Sequence, residues 1–193
     1  MEQALRRTVL TVALLNLGYF GVEFAVALAI GSVSLLADSV DFLEDASVNL
    51  LIFFAMAWSV KSRARVGMGM AGILLVPALA FLLTAWGKIV HPVPPLPLPL
   101  SLAGLGALAV NLFCAYILAV HRHVGGSLTR AAFLSARNDA AANVAIIAAG
   151  LVTAYLWHSI WPDLIVGLAI ALMNLDAARE VWEAAREEHA GVP

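Results

Sequence analysis

Charged side chains are scarce in this sequence. Asp, Glu, Lys and Arg make up 12% of its 193 residues, against about 25% in ordinary soluble domains. Apolar residues reach 62% and mean hydropathy is +0.92. Water could not solvate so much apolar surface, so the composition excludes a soluble fold and fits a bilayer. No basic cluster interleaved with stacking aromatics is present, which argues against nucleic acid as a partner. The single cysteine, Cys114, cannot form an internal disulfide and reads as a small buried apolar side chain. No nucleophile-and-base pair, phosphate-cradling glycine loop or complete catalytic metal motif occurs, so neither an enzyme nor a permanently bound cofactor is expected. The start, Met1 to Arg7, has the charge of a signal peptide. The apolar run after it, from Val9 to Ile30, outlasts the usual ~7–15 residue signal core and reads as a retained helix.

What is abundant is long apolar stretches. A membrane helix needs about 20 such residues, and six segments qualify: 9–30, 33–59, 66–89, 99–121, 129–155 and 160–178. Lipid leaves no backbone polar group a water partner, so each should be helical. Gly31-Ser32 turns the first pair. The proline-rich run His91–Pro99 predicts an extended loop, because its prolines lack amide donors. Gly125-Gly126 breaks the chain before the fifth span. Lys and Arg fix the orientation. With the amino terminus inside, Arg6, Arg7, Lys61, Arg63, Arg65, Arg122, Arg130, Arg179 and Arg186 are cytoplasmic, and Lys88 alone is outside. The expected fold is therefore an all-α integral membrane six-transmembrane-helix bundle with both termini cytoplasmic. Residues 1–178 form the transmembrane domain and 179–193 a short cytoplasmic tail. Trp58, Trp86, Trp157 and Trp161 lie near span ends, where tryptophan anchors to the interface.

Within this apolar background the second span carries Asp38, Asp41, Glu44 and Asp45. Each acid facing lipid would cost about 2.5–3.5 kcal/mol even on the lenient insertion scale, so the acids must face helices, water or a cation. At about 100° per residue, Ser34, Asp38, Asp41, Asp45 and Asn49 fall within about 80° of one another, with Glu44 off the stripe. The fifth span repeats the device with Ser135, Asp139 and Asn143. Counted along the helices, Asp41, Asp45 and Asp139 all approach the midplane. Carboxylates from two helices at one depth predict a cation site. Oxygen ligands suit hard divalent cations and also bind zinc, and protons compete with metal for them.

The run Gly31-Ser-Val-Ser-Leu-Leu-Ala-Asp38-Ser-Val-Asp41-Phe-Leu-Glu-Asp45 resembles the second-helix signature of the cation diffusion facilitators. Asn16, Tyr19 and Glu23 match polar positions of that family's first helix, and Trp161-Pro162-Asp163 resembles the start of its sixth. The resemblance covers about residues 10–178. It implies export of zinc, cadmium, cobalt, iron or manganese in exchange for protons, usually by a homodimer, across a bacterial inner membrane. It also implies a metal site of Asp41 and Asp45 with Ser135 and Asp139, supported by Asn143 and Asp38. In zinc exporters of the family the position of Ser135 is commonly histidine, so a harder metal is one expectation. Many members carry a further cytoplasmic metal-binding domain, which the tail here does not resemble.

Glu23 and Asn16, sharing a face with Tyr19, are candidates for proton passage or gating. So is Arg137, which points away from Asp139 and is expected to snorkel to the surface or pair with an acid such as Glu44. Asn111 and Cys114 read as packing residues, and His91, His121, His123, His158 and His189 as solvated. Two other readings fit the same pattern: a proton-coupled transporter of another cation, and a non-transporting membrane metal sensor or subunit.

Overall fold

The computed structural model describes residues 2–55, 78–120 and 126–174, all of it helices and short connections. The helices are α1 (Glu2–Ile30), α2 (Val33–Ala55), α3 (Ala78–Val90), α4 (Pro97–Ala119), α5 (Gly126–Tyr155) and α6 (Trp161–Asn174). α1 packs along α2 and α4, α4 along α5, and α5 against α2. α1 and α4 are each long and apolar enough to cross a membrane. Their outward faces carry Leu14, Leu28, Leu102, Leu105, Leu112 and Tyr116, each at least half exposed, as lipid contact requires. The helices carrying the acids, α2 and α5, lie against these two.

Small residues set the closeness of the packing. An added Cβ on Gly104 would press on Ile146 and Ile147 of α5, and one on Gly106 would strike the Tyr19 ring. Through that opening the Tyr19 hydroxyl reaches α4 and donates to the Ala103 carbonyl at 2.5 Å, while its ring leans on Phe42 at 5.1 Å. Tyr19 is thereby engaged in helix packing.

Several boundaries differ from the sequence expectation. α1 begins at Glu2 and α5 at Gly126, both earlier than predicted. α4 begins at Pro97, inside the run expected to be a loop, with Leu96 as its N-cap. The reason is that amides of a helix's first turn have no partner within the helix, so prolines there forfeit nothing. The expected ends of the second and sixth spans, the start of the third, the cationic loops and the 179–193 tail lie outside the described residues.

The outer end, as the Lys and Arg distribution assigns it, is held by one carboxylate. Gly31 turns the chain with φ 63°, and α2 then starts against α6. Asp163 is fully buried. Its Oδ2 accepts from the Val33 amide at 2.8 Å, and its Oδ1 from the Ser34 amide at 3.1 Å and from the Ser32 and Ser34 hydroxyls, each at 2.7 Å. A side chain of α6 thus caps α2, whose free N–H groups carry partial positive charge. Lys88 of α3 lies 3.8 Å from Asp163 Oδ2 and donates to the Val93 carbonyl at 2.9 Å. Gly167, one turn below Asp163, lets the two backbones meet, for a Cβ there would lie 2.8 Å from the Ser34 nitrogen. Around this knot pack Val33, Leu35, Leu36, Phe81, Ala85, Ile160 and Leu164.

Asp163→Ala should therefore be severely destabilising, since it strands a buried lysine and uncaps α2. Breaking a buried pair costs about 3–5 kcal/mol, so the thermal midpoint in detergent should fall by on the order of 10 °C. Asp163→Asn, which keeps one acceptor oxygen, should fall between the two. An unchanged midpoint for Asp163→Ala would show that the knot is not what joins α2, α3 and α6.

Candidate functional site

Below the outer knot, α2 presents its acids to three different helices. Ser135 donates its hydroxyl to Asp45 Oδ1 at 2.9 Å, and the carboxyl groups of Asp45 and Asp139 face each other within hydrogen-bonding range. Asp139 is half-buried and turned toward α2. Asp41, buried, accepts at Oδ1 from the Asn174 amide of α6. Asp45, Ser135 and Asp139 are thus brought together, while Asp41 in this state is held by α6. Among the described residues no three His, Cys, Asp or Glu side chains converge tightly enough to hold a metal.

A second polar tier lies one turn toward the outer end. The Asn143 amide donates to Asp38 Oδ2 at 2.6 Å, and its carbonyl accepts from the Asn111 amide at 3.0 Å. All three side chains are buried. Asn111 is therefore a link in a chain running from α4 through α5 to α2, and not the packing residue expected from sequence. Glu23 of α1 is fully buried, with no donor to either carboxyl oxygen among the described residues. It faces the Asp38 carboxyl, whose Oδ1 also lacks a donor. Asn16 is buried two turns away on α1. The Cys114 thiol approaches its Oδ1 at 4.0 Å, and its Nδ2 is unpartnered.

Other candidates separate from this group. Glu44 and Arg137 are exposed and make no ion pair with each other, so that expected pairing is not formed. Asn49 turns back to the Asp45 carbonyl of its own helix at 2.8 Å. His91 and His158 are exposed at the outer end, with Trp86, Trp157 and Trp161. His121, His123 and His189 lie outside the described residues.

Sequence reasoning missed Asn174 as a partner of the acids. A signal was available: Asp163, Gly167, Ile170 and Asn174 recur at helical spacing, so an amide closes the same stripe that an acid opens. All but Ile170 have an identified contact with α2.

The arrangement can do one kind of chemistry. Among the described residues, five carboxylates (Glu23, Asp38, Asp41, Asp45 and Asp139) meet three neutral donor side chains, those of Asn143, Asn174 and Ser135. The described ion pair, Lys88 with Asp163, lies elsewhere. An excess of acceptors and of negative charge, secluded from water, accommodates cations.

A family model described as the cation efflux transmembrane domain matches residues 9–187 of the chain. No curated protein matches it.

Asn143→Leu should leave Asp38 and Asn111 without partners at once. Each stranded buried polar group costs about 1–3 kcal/mol, so the variant should unfold several degrees below the parent protein. Adding Asn111→Ala should recover part of the loss, because it removes one orphan. Full additivity of the two changes would mean that no such chain exists.

Proposed function

The chain belongs to the cation efflux family and is an integral membrane cation transporter, and from that premise we propose that it exports divalent metal cations by exchange for protons. The observation that carries this reading is the excess of carboxylate over donor groups on α1, α2 and α5, while the described buried lysine, Lys88, pairs with Asp163 instead. Asp41, Asp45, Asp139 and Ser135 would hold the metal, with Asp38 and Asn143 supporting them from the tier above. The metal is cargo, and no resident cofactor is part of the reading. Glu23 would carry protons beside Asp38. Arg137, which is exposed and forms no ion pair among the described residues, has no part in holding the metal on this reading.

The cycle follows from the competition between metal and protons for the same oxygens. Metal arriving from the cytoplasm displaces protons. The helices rock so that the acids open outward, and protons entering from outside expel the metal. Ligands that are all oxygen favour hard ions. Manganese and iron therefore suit this set better than zinc, which gains from an imidazole nitrogen. A homodimer in a bacterial inner membrane completes the proposal by family resemblance alone.

Inverted vesicles holding the protein should accumulate manganese, iron, cobalt, zinc or cadmium when a proton gradient is imposed. Asp45→Asn or Asp139→Asn should lower uptake by at least about tenfold, because each removes a charge-assisted ligand bond. If no metal moves under any gradient, or if the Asp-to-Asn variants transport normally, the proposal fails. Ser135→His should shift preference toward zinc over manganese. An unchanged ratio would show that Ser135 does not contact the metal.

A further inference from the structure

Asp41 differs from the other acids of α2 in where its partner comes from. Asp38 and Asp45 are engaged by α5, through Asn143 and Ser135. Asp41 is engaged by Asn174, on α6. α6 is the same helix whose Asp163 is knotted to the start of α2. The two attachments are 11 residues apart, about 16 Å along a helix. The upper attachment is multiple: two amides, two hydroxyls and a lysine. The lower one is a single amide on a half-buried residue.

An amide N–H on a carboxylate oxygen takes one of its lone pairs and fixes the group toward the donor's helix, without neutralising the charge. While Asn174 holds Asp41, the acids do not close around an ion, and no described trio of them is tight enough to bind one. An arriving cation competes for that oxygen with a charge the amide lacks. The neutral donor should yield, because the cation also draws on Asp45 and Asp139, which already face each other.

We infer that Asn174 is a positioning residue for transport: it keeps Asp41 out of the ligand set while the site is empty and surrenders it to the incoming cation, so that loading the site frees the middle of α6 from α2. The helix stays pinned through Asp163 at its outer end. Metal binding then converts a two-point attachment into a one-point pivot. This rests on the metal-transport reading and adds to it the link between occupancy and helix movement.

Equilibrium binding of Mn²⁺, with Zn²⁺ and Co²⁺ in parallel, separates the possibilities when measured on the purified full chain beside proteoliposome transport. Asn174→Ala removes the competitor of the metal, so affinity should rise by about tenfold or more, the worth of a hydrogen bond to a charged group. The maximum transport rate should fall, because the emptied site no longer recaptures Asp41. Asn174→Gln, which keeps an amide, should move both values back toward those of the parent. Thermal unfolding supplies a readout that a purely structural bond would not match. Asn174→Ala should destabilise the metal-free protein but leave the metal-saturated protein unchanged, since the bond is absent there in both. Weaker or unaltered metal affinity in Asn174→Ala, or equal destabilisation with and without metal, overturns the inference. If the parent protein moves metal while Asn174→Ala binds it no more tightly, only the role of Asn174 falls. If the parent protein neither binds nor moves any metal of the panel, the transport reading falls and takes this inference with it.

Discussion

Water is absent from the middle of a bilayer, and that absence governs every polar side chain in this bundle. A buried amide or carboxylate must find its partner in another helix or in a ligand. The constraint sorts the polar residues into two kinds. Asp163 is satisfied several times over by the start of α2 and by Lys88. Asn111 and Asn143 satisfy each other and one oxygen of Asp38. Glu23 and the second oxygen of Asp38 are left without donors. The satisfied groups fix the architecture. The unsatisfied ones leave acceptor capacity without a partner among the described residues.

α2 shows both kinds along one helix. Its outer end is rigid, capped from α6 and pressed close by Gly167. Its middle is joined to α5 by the Ser135 and Asn143 bonds and to α6 by the Asn174 bond, while Phe42 leans on Tyr19 of α1. Firm packing at the outer end also comes from Leu35 and Leu36, which are completely buried. On the proposed reading, a helix whose outer anchor is multiple can exchange the isolated bonds on its acids without losing that anchor, as alternating access requires.

Much of this was legible in the sequence, for reasons that can be named. Six apolar runs give six helices because lipid permits little else. The stripe Ser34, Asp38, Asp41, Asp45 and Asn49 follows from the 3.6-residue period, and Ser135, Asp139 and Asn143 on α5 likewise. The period gives which residues share a face but not which helix stands opposite. In the structure that one face meets three neighbours: Ser34 and Asp41 turn to α6, Asp38 and Asp45 to α5, Asp38 also to Glu23 of α1, and Asn49 to its own backbone. The bonding of Asn111 to Asn143 was hidden for the same reason, since α4 and α5 had no register until folded. Pro97 misled because proline disrupts a helix interior and not its first turn. Asp163 was visible as part of a family-like run, but its capping of α2 depends on a contact across 130 residues of sequence.

Electrostatics then constrains how the acids can work. Several ionised carboxylates in so small a low-dielectric volume cannot all stay uncompensated, and no described cation side chain reaches them. On the proposed reading, either protons or metal supply the balance at every stage of the cycle. On the proposed reading this makes exchange a requirement rather than an added feature. A metal ion leaving outward without replacement would strand its charge on Asp41, Asp45 and Asp139. Asn174 and Ser135 soften that vacancy as neutral donors but contribute no net charge. The tier of Glu23 and Asp38 has the complementary property, with three carboxyl oxygens that accept from nothing. Two carboxyls facing each other can share a proton but offer a metal few further ligands. On the proposed reading the upper tier suits protons and the lower metal, and because each includes an acid of α2, charge arriving at one is felt at the other.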